Sequence, residues 1–199
     1  MSIRKEYRIF TVEVRAKSDT PQIEGYAAVF NTETNLGWLR ESIAPGAFKR
    51  AITEGQDVRC LFNHDPNSVL GRTKSKTLTL TEDNTGLRFV CDLPDTTVGK
   101  DVRSMIMRGD VDQCSFGFVV TGEQVSYADD GTCTRVIQDC DLFDISPVTY
   151  PAYPTTSVEA RSNGEVLQSL KRDAEGKESG PNEFWETAKR KTYLAQISL

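Results

Sequence analysis

The chain is short of several things, and each shortage closes off a class of function. It has a single histidine in 199 residues, His64, so imidazole chemistry has only one side chain to use. Its five cysteines (Cys60, Cys91, Cys114, Cys133 and Cys140) are odd in number and contain no C-x-x-C pair, which indicates neither a disulfide framework nor a zinc site. A metal would have to rest on carboxylates alone, so no metal and no cofactor are expected. Positive charge is scarce as well: 24 Lys and Arg against 29 Asp and Glu leave a net charge of -5, the wrong sign for coating nucleic acid. No stretch approaches the roughly 18 apolar residues of a membrane span. The opening Met1-Ser2-Ile3-Arg4-Lys5-Glu6-Tyr7-Arg8 has no apolar signal-peptide core. The expectation is a soluble protein made in a cytoplasm, with neither nucleic acid nor membrane as a partner.

The 38% of hydrophobic residues suffices for one domain and a tail. Residues 7–15 and 23–30 alternate in polarity about a Ser-Asp-Thr-Pro break and predict an early hairpin. Residues 31–40 read as a polar loop carrying Leu36, Trp38 and Leu39. Pro45 near a first turn, with Ala47, Phe48, Ala51 and Ile52 at helical spacing, predicts a short helix over 43–52 that Gly55 ends. A strand over 58–63 then delivers His64 to its end. Residues 77–81 and 87–93 predict a hairpin about the turn at 82–86. Val98, Val102, Met105 and Ile106 form one stripe of a helix over 97–108, with Thr96 or Thr97 as N-cap and Gly109 beyond its end. Strands at 119–125 and 134–143 flank a turn at 127–131, and a last strand over 144–151 is confined by its prolines to an edge or an end. From Thr155 the composition turns polar. The boundary is placed so that residues 1–158 form the domain and 159–199 a flexible polar tail, with a short helix within 183–195.

Val111-Asp112-Gln113-Cys114-Ser115-Phe116-Gly117-Phe118-Val119-Val120 is the stretch that carries chemistry. Pleating sets Phe116, Phe118 and Val120 on one face and Ser115, Gly117 and Val119 on the other, so a lone hydroxyl stands beside the space a glycine leaves. Local context also suits Ser115 as an ordinary strand serine and His64 as a structural turn histidine. Together they suggest a nucleophile and the base that takes its proton. An imidazolium needs an acceptor on its other nitrogen, and Asp144, set among Leu142, Phe143 and Ile145, is the choice, with Asp65, Asp112 and Asp141 as alternatives. Cys114 is a competing nucleophile, but it should share the apolar face of Phe116 and Phe118. The order His64, Ser115, Asp144 and the lack of a G-x-S-x-G elbow exclude the chymotrypsin, subtilisin and α/β-hydrolase plans.

The ordered pieces Gly25-Tyr26-Ala27-Ala28-Val29-Phe30-Asn31, Ile43-Ala44-Pro45-Gly46-Ala47-Phe48, Asn63-His64-Asp65, Leu70-Gly71-Arg72, Gly86-Leu87, Ser115-Phe116-Gly117-Phe118 and Asp144-Ile145-Ser146-Pro147-Val148-Thr149-Tyr150-Pro151-Ala152-Tyr153-Pro154 resemble the prohead maturation serine proteases of tailed bacteriophages. The resemblance spans residues 5–158. It implies a mainly β chain with a few helices (α+β), built as a closed antiparallel β-barrel of the herpesvirus assembly-protease type with flanking helices. Serine and histidine fall on Ser115 and His64. The herpesvirus enzymes use a second histidine, which this chain lacks, and phage relatives commonly carry glutamate where Asp144 stands. The implied activity is cleavage of the scaffolding segment of the major capsid protein, and of the protease itself, inside the assembling prohead in the host bacterial cytoplasm. The capsid protein is thus the expected partner, and a homodimer is allowed. The tail becomes an encapsidation tether or an autoprocessed segment, and residues 146–150 are expected to supply oxyanion donors. A non-enzymatic capsid-assembly module is the alternative reading.

Overall fold

The computed structural model describes residues 5–10, 14–35, 39–128 and 132–150. In chain order its elements are β1 (Glu6–Phe10), β2 (Arg15–Ala16), β3 (Gln22–Val29), β4 (Thr34–Asn35), β5 (Leu39–Ile43), α1 (Lys49–Thr53), β6 (Arg59–Phe62), β7 (Asp65–Arg72), β8 (Leu78–Glu82), β9 (Gly86–Asp92), α2 (Thr97–Arg108), β10 (Gln113–Tyr127) and β11 (Cys133–Val148). The tail with its helix over 183–195, the 158/159 boundary, and Leu36 and Trp38 lie outside the described residues.

The elements that local sequence controls fall where the pattern puts them. β8 and β9 form the hairpin, with Leu80 opposite Phe89. Asp83 closes its turn by accepting the backbone N–H groups of Thr85 and Gly86 at 2.7 and 3.1 Å. The hydroxyl of Thr96 caps α2 by accepting the Gly99 N–H at 3.3 Å, and Gly109 ends the helix at φ +80°.

The sheets are not closed into a barrel, contrary to the antiparallel barrel expected from the resemblance. A seven-stranded sheet runs β1-β10-β11-β5-β4, with β6 pairing β11 and β7 pairing β6, and a four-stranded antiparallel sheet runs β2-β3-β9-β8. The larger sheet is mixed because β11 is long enough, at 16 residues, to take two neighbours on one edge. β5 lies parallel to it at Cys133–Ile137 and β6 lies parallel to it at Asp144 and Ile145. The connection through α1 returns the chain between β5 and β6, which lets both run in the direction of β11. Among the described residues the path therefore ends at β1 and β4 and no ladder joins them.

Four local expectations change with it. The loop expected over 31–40 holds the short strand β4 and the start of β5. β1 does not pair with β3; it pairs with β10, and of the described residues before the Ser-Asp-Thr-Pro break only Arg15 and Ala16 of β2 form a ladder with β3. The helix expected over 43–52 begins at Lys49, because Ile43 completes β5 and Gly46, at φ +97°, turns the chain. The last strand is not a separate one but the C-terminal part of the central β11, so of the edge or end that its prolines allowed it is an end. Pro147 is tolerated there because its carbonyl, and hence its missing N–H, points beyond the last pair with β6, where Asn63 N–H donates to Pro147 O at 3.1 Å.

The core lies between the sheets. Cys114, Phe116 and Phe118 of β10 face Ile23, Ala27 and Ala28 of β3 and Leu87, Phe89 and Cys91 of β9, all fully buried. Phe30 stacks on Phe48, Phe48 meets Phe116 edge-on at 5.7 Å, and Phe116 stacks on Phe118 at 4.6 Å. Beside this apolar layer Glu6, Arg8, Glu41 and Arg135 form a buried ionic network: Arg8 bonds both Glu6 and Glu41, and Arg135 reaches Glu6 and Glu41 at 2.7 and 2.9 Å. β1 is thereby tied to β5 and β11 by charge as well as by its ladder with β10.

Candidate active site

Because Phe116 and Phe118 point into the core, Ser115 and Gly117 point to the opposite face of the larger sheet. Antiparallel pairing fixes what joins them there: Ser115 lies across from Ser146 and Gly117 across from Asp144, with no register shift between Gln113 and Gly117. On the other side of β10, Tyr7 pairs with Gly117 and Ile9 with Ser115. A serine, a glycine and a carboxylate are thus held side by side by backbone ladders, independently of any side-chain contact.

His64 arrives from a separate hairpin. Phe62 of β6 pairs with Asp65 of β7, leaving Asn63 and His64 as a two-residue turn with φ of +53° and +56°. Positive φ at both central residues is the signature of the type I′ hairpin turn, whose twist matches its strands. For a residue other than glycine that conformation costs on the order of 1 kcal/mol or more, and Asn and His are among the side chains that adopt it most often. The turn is pinned to the end of β11. Asn63 Oδ1 accepts the Thr149 backbone N–H at 3.0 Å and the Thr149 hydroxyl at 3.3 Å, alongside the bond from Asn63 N–H to Pro147 O.

So placed, His64 Nδ1 hydrogen-bonds Asp144 Oδ2 at 2.5 Å, and Ser146 Oγ donates to the same oxygen at 2.9 Å. Both partners are largely withdrawn from water, with side-chain exposures of 8% and 9%. The Tyr7 ring packs edge-on against the imidazole with centroids 4.7 Å apart. A carboxylate fixing Nδ1 leaves Nε2 as the proton-accepting nitrogen. His64 Nε2 and Ser115 Oγ are each buried without a hydrogen-bond partner. Neither atom bonds the other.

The alternatives raised by sequence are placed elsewhere. Asp65 accepts from Asn67 N and Ser68 Oγ at 2.9 and 3.0 Å, within its own turn. Asp141 binds Arg50 and Gln56 at 2.7 and 2.6 Å. Asp112 lies just before β10, and the hydrogen bond at His64 Nδ1 goes to Asp144. Cys114 is fully buried on the core face, where burial pushes its thiol well up from the ordinary value and keeps it protonated. The expected oxyanion donors of 146–150 are reduced in number: Pro147 has no N–H and Thr149 N–H is committed to Asn63.

Sequence reasoning missed Asn63 and Tyr7 as site components, and took Ser146 only as the start of the segment expected to supply oxyanion donors, not as a partner of Asp144. Asn immediately before the histidine at a strand end was the available signal for Asn63, since Asn favours the first position of such a turn. Ser146 and Tyr7 depend on pairings that no local pattern reveals. Among the described residues no group of His, Cys, Asp and Glu could hold a metal, and no helix is long and apolar enough to cross a membrane.

A search of curated proteins finds no match to the chain. Among solved structures, the chain is similar to the capsid assembly protease gp21 of bacteriophage T4, at 10% identity and a TM-score of 0.46, covering 72% of this chain and 98% of that one. The family profile described as caudovirus prohead serine protease matches residues 9–169. On that match the chain is a protease of phage capsid maturation and belongs to the caudovirus prohead serine protease family.

Proposed function

We propose that the protein is a serine endopeptidase that cuts the scaffolding segment from the phage capsid protein within the assembling prohead, in the host cytoplasm, with Ser115, His64 and Asp144 as its catalytic groups. The observation that carries this reading is the His64–Asp144 hydrogen bond on the sheet face that also bears Ser115. Ser115 Oγ attacks the scissile carbonyl while His64 Nε2 takes its proton. Asp144 holds Nδ1–H and stabilises the imidazolium. The proton passes to the leaving amine as the C–N bond breaks, and water then hydrolyses the acyl-serine by the same exchange in reverse.

Ser115 is wholly buried, so peptide reaches it only when the groups above it part. This latency suits a protease that must not cut its partner before assembly. The same chemistry directed at residues beyond 158 gives self-processing.

The test is intact-mass measurement of the capsid precursor, and of the protease itself, after co-expression with wild type and with Ser115→Ala. Wild type yields a shortened capsid protein and Ser115→Ala leaves it full length. Undiminished processing by Ser115→Ala removes the assignment.

A further inference from the structure

Native proteins satisfy nearly all their buried polar atoms, so the exceptions are informative. Among the described residues the buried side-chain atoms without a partner are His64 Nε2, Ser115 Oγ, Gln113 Oε1 and Arg103 Nε. Arg103 stands apart on α2, where its Nη2 is bound to the carbonyls of Lys17 and Ser18. The other three belong to one sheet face. Gln113 and Ser115 are alternate residues of β10 with regular pairing between them, and His64 is held to that face by Asp144.

Two of those three atoms are left open for the reaction proposed above. The third is a carboxamide oxygen, an acceptor that has lost water and gained no donor. Gln113 is paired with Val148 across the ladder, so its strand neighbour offers no side-chain donor. Along a strand the side chains of Gln113 and Ser115 are about 7 Å apart, the length of two residues of an extended peptide. A chain lying along β10 with its scissile carbonyl at Ser115 therefore brings a main-chain N–H of a nearby residue to Gln113.

Building on the serine-protease reading, we propose that Gln113 is a substrate-binding residue whose side-chain oxygen accepts a backbone N–H of the peptide next to the scissile bond. It selects an extended main chain and is indifferent to the side chain carried there. Gln113 takes no part in activating Ser115.

The experiment compares two readouts on wild type, Gln113→Met, Gln113→Glu and Ser115→Ala: the rate of Ser115 labelling by an alkyl fluorophosphonate, which has no peptide N–H, and kcat/KM for cleavage of the capsid precursor. Gln113→Met keeps the length of the side chain without the acceptor. It is expected to label within twofold of wild type and to cleave about tenfold more slowly, with Gln113→Glu, which keeps an acceptor, recovering at least half of that loss on a logarithmic scale. Wild-type cleavage by Gln113→Met overturns the proposal. So does a parallel loss of labelling and cleavage in both Gln113 variants, which would place the residue in the machinery or the fold. Wild type that neither labels nor cleaves the co-expressed precursor, or cleavage by Ser115→Ala, removes the serine-protease reading itself and this proposal with it.

Discussion

Gly117 faces Asp144 across the β10–β11 ladder so closely that a Cβ on Gly117 would lie 2.5 Å from Asp144 Oδ1 and 2.8 Å from the Tyr7 ring. The missing side chain is what lets the carboxylate settle on the sheet face beneath His64. Gly117→Ala must displace the acid or the tyrosine. The expected result is a destabilisation of about 1–3 kcal/mol, the usual cost of overpacking, and a loss of precursor cleavage larger than that figure explains. Chemical denaturation beside a cleavage assay checks it, and a fully active Gly117→Ala would show that Asp144 has room to spare.

Asp144→Asn keeps an oxygen for Ser146 and offers an amide to His64, which favours the tautomer with the proton on Nε2. Turnover is expected to fall about 10⁴-fold with the fold retained. The measurement is kcat with a thermal melt as control, and a loss below tenfold would mean that orientation of the imidazole does not depend on this carboxylate.

The pin between Asn63 and Thr149 separates into backbone and side-chain parts. Asn63→Gly keeps the positive φ but removes the acceptor of the Thr149 N–H and hydroxyl, whereas Asn63→Asp keeps both. Asn63→Gly is expected to lose about 1–2 kcal/mol of stability and to lower kcat while leaving KM nearly unchanged, because the imidazole loses its fixed position. Asn63→Asp should restore most of kcat. Equal kcat in the three proteins would reduce the pin to a loop contact.

The buried network sets an acid limit. Burial opposes ionisation of Glu6, but Arg135 and Arg8 outweigh it and hold its carboxyl below the ordinary glutamate value of 4.5. A carboxyl depressed in the folded state lends stability above its unfolded pKa and loses it as pH falls through the folded value. The melting temperature should therefore be level above about pH 5 and drop on acidification below about pH 4.5. Glu6→Gln leaves two buried arginines short of charge. It should cost about 3–5 kcal/mol at neutral pH and flatten the acid slope, as read by melts across a pH series.

Much of what sequence can reveal here is local. The turn at Asp83 and the caps at Thr96 and Gly109 come from side chains acting within a few residues, and they sit where expected. The two faces of β10 were legible for the same reason, since alternation alone separates Ser115 from Phe116. Pairing between distant strands was not. Nothing near residue 7 indicates that Tyr7 will lie beside Gly117, and nothing near residue 59 indicates that Arg59 will run parallel to Asp144. The open sheet follows from those long-range choices. Asp144 could be named as an acid because an ion among apolar neighbours needs a partner, but the hydroxyl of Ser146 that steadies it becomes visible only with the strand in place.

The turn that carries His64 also limits how this site can change. A two-residue link between antiparallel strands has no slack: one added residue would rotate the imidazole away from Asp144 or slide β7 against β6. Length changes that would reshape the surroundings of this face are thus better tolerated in other connections, where the distance from the imidazole to Asp144 is not at stake.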